Sequence, residues 1–311
     1  MNIDTETIKP YDQEDLSKLI RFRDEIEKKG LVGCGIPLEW ILAYKGIPAY
    51  NLGKNLYVVE NAGTIRGYVH VLAEKDIERS VVSYLVHPAD RTDGLLKRLL
   101  DCSFRRTEEL KLTLAHIFTS NENLLEKNLL CMMDFKPIRR FYELNLDLQR
   151  ARLPNTNYVP FSCRTFKRGE EAALTRIQNR SFMDTWGFNP NTVEEITYRT
   201  KLPCCLPEGI VISWDGDRPI AYCWTKINLG RDDRKDRRSG SIHMLGVDPD
   251  YRGRGLAKQV FAAGLSYLIK QGTNITQISV DSENEAALTL YKSAGFEIGK
   301  TTLWFERRIE G

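Results

Sequence analysis

The chain has 311 residues, 42% hydrophobic and 28% charged, with a net charge of +3. That length suits two domains, and the composition is that of a folded globular protein, not a disordered or low-complexity chain. No window reaches the ~20 apolar residues of a membrane helix, and 45 basic against 42 acidic residues give no reason to expect a nucleic acid or a membrane as partner. The start, MNIDTETIKPYDQEDL, lacks the apolar core of a secretory signal. Seven cysteines without a CxxC spacing argue against metal and disulfides, so reduced thiols in a cytoplasmic protein are expected. Residues 1–150 hold 22 basic and 23 acidic side chains and the remainder 23 and 19, so the second half is the better host for a small polyanion.

In chain order, Glu14–Glu27 reads as an amphipathic helix. A hairpin follows: Leu56–Glu60, a turn at Asn61-Ala62-Gly63, then Ile65–Leu72. Punctuation by Pro154, Asn155, Asn157 and Pro160 marks a linker within Asp147–Ser162. The pattern then repeats. Glu170–Phe182 reads as a helix, and Ile210–Trp214 and Pro219–Ile227 as strands around the turn Asp215-Gly216-Asp217. A strand over Ser241–Val247 leads into a helix with apolar positions Leu256, Val260, Phe261, Leu265, Leu268 and Ile269. After a strand at Ile275–Val280, Ser282-Glu283-Asn284-Glu285 reads as a capping box opening a helix through Ser293, with Gly295 as its stop. The last strand spans Lys300–Arg307.

The two halves also match residue by residue. The stretch from Val86 through Arg91 and Gly94 to Lys97 aligns without a gap with Val247 through Arg252 and Gly255 to Lys258. Asn123 and Asn284, and Phe135 and Phe296, stand at the same spacing of 161. A constant offset over some fifty residues is the mark of a duplicated α/β unit. The expected domains are 1–150 and 151–311, each a mixed, mostly antiparallel sheet with helices on both faces.

Arg252-Gly253-Arg254-Gly255-Leu256-Ala257 lies directly after a strand and directly opens a helix. That placement makes an anion cradle: free N–H groups of a first helical turn, glycines that let a phosphate approach the backbone, and arginine charge. About thirty residues on comes Asn284, then Tyr291 and Gly295-Phe296. Together the two segments resemble motifs A and B of the GNAT superfamily of N-acetyltransferases, and the tandem layout resembles its mycothiol-synthase type. Arg252, Gly255 and Ala257 meet the family's cradle pattern, and Asn284 and Tyr291 its second motif.

The resemblance implies acetyl-CoA as cosubstrate and a small-molecule amine as acceptor. Leu245, Gly246 and Val247 would pair with the pantetheine arm, with Gly246 in a bulge that parts the strands. The amides of Gly253, Arg254, Gly255, Leu256 and Ala257 would hold the pyrophosphate, and Asn284 would meet the pantetheine end. Tyr291 would protonate the departing sulfur. Strand alternation sets Ser241, His243, Leu245 and Val247 on one face. Many relatives have a glutamate where Ser241 stands, so His243, with a free imidazole value near 6.5, becomes the candidate base; Glu283 with an ordered water is its rival.

The aromatic stretch Ser181–Leu206 is expected to face the acceptor, with Asp184 available to a cationic one, and the run Arg231–Arg238 to be a solvated loop. In the first copy Thr92, Asp93 and Leu96 replace Gly253, Arg254 and Ala257, and Tyr84, Val82 and Leu130 replace Leu245, His243 and Tyr291. That copy reads as degenerate. A non-catalytic acyl-CoA sensor is the alternative function, and the oligomer is expected to be a monomer or a homodimer.

Overall fold

The computed structural model describes residues 6–29, 35–36, 38–47, 50–156, 159–227 and 238–309. The first half supplies β1 (Thr7–Pro10), α1 (Leu16–Lys28), α2 (Leu38–Ala43), α3 (Leu52–Asn55), β2 (Leu56–Asn61), β3 (Thr64–Glu74), β4 (Arg79–Val86), α4 (Asp93–Glu109), β5 (Leu114–Ser120), α5 (Leu124–Met132) and β6 (Lys136–Asp147). The second supplies β7 (Ser162–Thr165), α6 (Glu171–Phe182), α7 (Val193–Thr200), β8 (Ile210–Asp215), β9 (Arg218–Ile227), β10 (Ser239–Val247), α8 (Leu256–Lys270), β11 (Ile275–Asp281), α9 (Glu285–Ser293) and β12 (Glu297–Arg308). The copies hold their register: β5, α5 and β6 start and end 161 residues before β11, α9 and β12.

The chain forms two compact units, Met1–Arg140 with Thr302–Gly311, and Phe141–Thr301. That division departs from the expected 1–150 and 151–311 because the last strands are exchanged. In the first unit the sheet order is β1-β2-β3-β4-β5, and Thr302–Arg308 of β12 pairs antiparallel with β5. In the second, Phe141–Asp147 of β6 pairs antiparallel with β11, followed by β10, β9, β8 and β7. Only β4–β5 and β10–β11 are parallel; the other pairs are antiparallel. The expected linker is part of the second unit's structure: Leu148 is buried, and Ala151, Val159 and Phe161 pack on its core.

Each sheet buries both faces. In the second unit the alternation of β9 sends Ile220 and Cys223 into a core with α8 and α9, and Tyr222 and Trp224 into one with α6 and α7. α8 contributes the apolar row read from the sequence, with Leu256, Val260, Phe261, Leu265 and Leu268 all buried, although Ile269 is exposed. Burying one such side chain stabilises the fold by about 1.5–3 kcal/mol.

The exchange carries a prediction. Phe305, encoded in the last strand of the second copy, is 2% exposed in the first unit's core beside Leu99, Leu100 and Ile117. Phe305→Ala is expected to destabilise the first unit by about 3–5 kcal/mol. Amide exchange should then accelerate in β5 and α4 and hold in β8 and β9. The reverse pattern would place the strand in the wrong unit.

Candidate active site

The site begins where β10 and β11 part. They pair in parallel only at Ser239–Ser241 with Ile275–Gln277. Beyond that, β10 continues along β9 to Val247 and β11 along β6 to Asp281, so a cleft opens between them. Along it the edge of β10 presents backbone N–H and C=O groups that need partners, which suits an extended ligand carrying amides.

The register of β10 against β9 slips between Ile242 and Met244, leaving His243 as the extra residue of a β-bulge. This corrects two expectations. The bulge is at His243, not Gly246, which pairs in register with Tyr222. The expected common face of Ser241, His243, Leu245 and Val247 is also broken. Ile242, Leu245 and Val247 pack with the α8–α9 core, while Met244 packs with the α6–α7 core and the His243 ring meets Trp224 edge-on at 5.5 Å. Gly246 is glycine for another reason: a Cβ there would lie 2.5 Å from Ser181 Cβ and 2.7 Å from the Tyr222 ring.

Burial holds the His243 imidazole well below its usual value, and the charges of Lys226 and Arg199 push the same way. Lys226, cross-strand from Ser241, is itself pushed down to about 8 by burial. The sequence reading missed this lysine, which the alternating pattern of β9 gives no reason to single out.

At the end of β10 the chain turns through Pro249–Tyr251 into the cradle. Arg252 donates from Nη2 to the Ser181 carbonyl at 3.1 Å, which ties the cradle to the end of α6. Gly253 and Gly255 have φ of +77° and +79°, the left-handed region in which a side chain is strained. A Cβ at Gly253 would meet nothing within 4 Å. Gly255 is the N-cap of α8 and supplies no side-chain acceptor, so the amides of the first turn stay open to an anion. Leu256 buries its side chain beneath them, and Ala257 packs partly against the same core. Arg254 stacks over the Tyr251 ring at 4.9 Å, opposite Arg218 at 5.0 Å. Burial favours protonation of Asp248, but Arg180 and Arg218 hold its carboxyl down at about 2, which fixes the turn.

Tyr291 lies on α9 at 4% exposure, its ring 5.5 Å from Phe261 and 5.9 Å from Phe296. Burial raises its phenol above the ordinary value, so it keeps its proton at neutral pH. Asn284 is itself the N-cap of α9, with Oδ1 accepting from Ala287 N at 3.1 Å; the expected box starting at Ser282 does not form. Glu283 is exposed at the head of that helix. In the aromatic stretch Phe182 packs with the α6–α7 core, Trp186 stands 6.1 Å from Phe141, and Met183 and Asp184 are exposed. Of the run Arg231–Arg238, all but Arg238 lies outside the described residues.

The first unit keeps the scaffold and fills it with its own side chains. β4 and β5 also pair at only three positions, Arg79–Val81 with Leu114–His116. Here Thr92 caps α4 through Leu95 N at 3.2 Å. Glu126, at the position of Ala287, is 3% exposed, takes a hydrogen bond from the Tyr84 hydroxyl and pairs with Arg91 at 2.6 Å. Tyr84 and Arg91 stand at the positions of Leu245 and Arg252. A buried carboxylate therefore neutralises the cradle arginine of this copy. The offset of 161 could have revealed Glu126 in the sequence.

Residues 172–296 match the model of the acetyltransferase (GNAT) family. The chain belongs to the GNAT acetyltransferases. It is 34% identical over 148 residues to the mycothiol acetyltransferase of Geodermatophilus obscurus, a match spanning 47% of this chain and 46% of that protein. The enzyme of the same name from Stackebrandtia nassauensis is 27% identical over 261 residues, 83% of each. Among solved structures, the tandem GNAT protein from the clavulanic acid biosynthesis pathway superposes with a TM-score of 0.73 at 14% identity, covering 98% of this chain and 99% of that one. At that identity the likeness concerns the fold. As a GNAT acetyltransferase, the chain uses acetyl-CoA as donor and transfers the acetyl group to nitrogen. No helix among the described residues is long and apolar enough to cross a membrane.

Proposed function

We propose that the chain acetylates the primary amine of a small molecule by direct attack on acetyl-CoA held in the second unit. The observation that carries this is the uncapped, doubly left-handed glycine turn at the N-terminus of α8, set beside the parting of β10 and β11. The name shared by the curated relatives supports an acceptor of the mycothiol-precursor kind. The expected experiment is CoA release in the presence of a panel of amines. Turnover with small amines and none with lysine-bearing peptides supports this reading; binding of acetyl-CoA without turnover on any amine would replace it with a sensor.

In this reading the amides of Gly253 to Ala257 hold the pyrophosphate, and Leu245, Gly246 and Val247 offer backbone partners to the pantetheine. A β10 N–H near Val247 polarises the thioester carbonyl. Tyr291 gives its proton to the sulfur as the C–S bond breaks. His243, neutral at the bulge, takes the amine's proton through a water. The first unit is a structural partner whose own cradle is neutralised by Glu126.

His243 supplies a pH prediction. Its neutral form is the base, and a lowered value extends that form to lower pH. The acid limb due to His243 therefore falls well below 6.5, not at it. Between pH 6 and 9, with one acceptor of low amine pKa, His243→Gln is expected to lower kcat without changing the shape of the profile. A limb near 6.5 that vanishes in the variant would mean a solvated imidazole.

A further inference from the structure

The loop from α7 to β8 carries two adjacent thiols that acetyl transfer leaves unused. Cys204 is half-buried, Cys205 is 2% exposed in the α6–α7 core, and their Sγ atoms are 3.7 Å apart. Pro203 and Pro207 bracket them and limit the loop's freedom. Cys205 N donates to Leu202 O at 2.8 Å, and Ile227 N donates to Cys204 O at 3.2 Å. Ile227 ends β9 and pairs with Gly240 of β10, so this bond ties the thiol loop to the strand pair that carries His243. Lys226, 4% exposed, sets its positive charge in the field of both sulfurs. Cys205 hydrogen-bonded to Cys204 pulls the Cys204 thiol down to about 6, with Lys226 helping, while Cys205 is raised. The pair thus shares one proton, and the negative charge sits on the more accessible sulfur, as an attacking thiolate requires.

We propose that Cys204 and Cys205 form a modification site for two-electron oxidants, peroxides in particular, which close them into a disulfide and release the Ile227 amide. The Cys204 thiolate attacks one peroxide oxygen and the O–O bond breaks. The departing hydroxide takes up a proton as water, leaving Cys204 as a sulfenic acid. The Cys205 sulfur then attacks the Cys204 sulfur, the S–O bond breaks, and a second water leaves with the Cys205 proton. Two thiols have lost two electrons and two protons, and the peroxide has become two waters. The product is an eight-membered ring that contains the 204–205 peptide. Adjacent Cα atoms lie about 3.8 Å apart, below the usual disulfide range of about 4.4–6.8 Å. Closure therefore twists that peptide and swings the Cys204 carbonyl off Ile227 N. A strained bond of this kind is also easily reduced, the mark of a labile disulfide.

The test uses the full-length protein and hydrogen peroxide. After alkylation and trypsin, the fragment from Leu202 to Arg218 should lack two hydrogens relative to the dithiol and carry no alkyl group, and dithiothreitol should reverse this. Amide exchange at Ile227 should speed up by about fivefold or more, the loss of one hydrogen bond of about 1 kcal/mol. Cys204→Ser and Cys205→Ser proteins should show neither change. A Cys204 that stops at the sulfinic acid, or a disulfide that leaves Ile227 exchange unaltered, overturns the proposal. These readouts do not depend on turnover. A reversible disulfide in a protein that releases no CoA with any amine would sink the acetyltransfer reading and leave this one standing.

Discussion

Tyr291→Phe is expected to lower kcat by about 10²–10⁴-fold, the usual contribution of a general acid, with acetyl-CoA affinity little changed. The phenol is needed only as the sulfur becomes a thiolate, so its loss belongs to the transition state and not to binding. The ring itself stays, with its contacts to Phe261 at 5.5 Å and Phe296 at 5.9 Å, so packing offers no competing cause. Burial that raises the phenol also makes a thiolate leaving group beside it more basic, so the proton still moves toward sulfur. Steady-state kinetics beside calorimetric acetyl-CoA binding checks this. A variant within a few-fold of the parent in kcat would make Tyr291 a core aromatic and nothing more.

The second large effect belongs to Gly255. Its φ of +79° costs a β-branched residue about 1–2 kcal/mol, and a side chain there stands where the backbone must meet a phosphate. Gly255→Val is therefore expected to weaken acetyl-CoA by at least about tenfold, or 1.4 kcal/mol. Gly94, its counterpart in the first copy, lies within α4, where a Cβ would meet nothing within 4 Å. Gly94→Val should leave binding unaltered at one acetyl-CoA per chain in calorimetry. Two equivalent sites, or equal losses from both substitutions, would show that Thr92 and Glu126 do not close the first cradle.

Much of this architecture is written locally. The hairpin turns, the apolar row of α8, the glycines of the cradle and the asparagine opening α9 each follow from a few neighbouring residues, because caps and turns are satisfied within one turn of chain. The duplication is equally legible, since 161 separates equivalent positions from β4 and β10 to β6 and β12. The bulge was not. Period-two alternation carries no mark for an extra residue, and so Ser241, His243, Leu245 and Val247 read as one face until the register with β9 was known.

The low value at His243 has the same origin. It comes from burial and from Lys226 and Arg199, residues 17 and 44 positions away in sequence, and a reference value of 6.5 knows nothing of them. What the sequence by itself determined is the repeated unit, its cradle and its family resemblance. Only the tertiary structure decided which sheet each last strand joins. β6 and β12 hold equivalent places in the two copies, and β5 and β11 each need an antiparallel neighbour. Local propensity is indifferent between the pairings, and the exchange is settled by long-range burial, such as that of Phe305 among the side chains of α4 and β5.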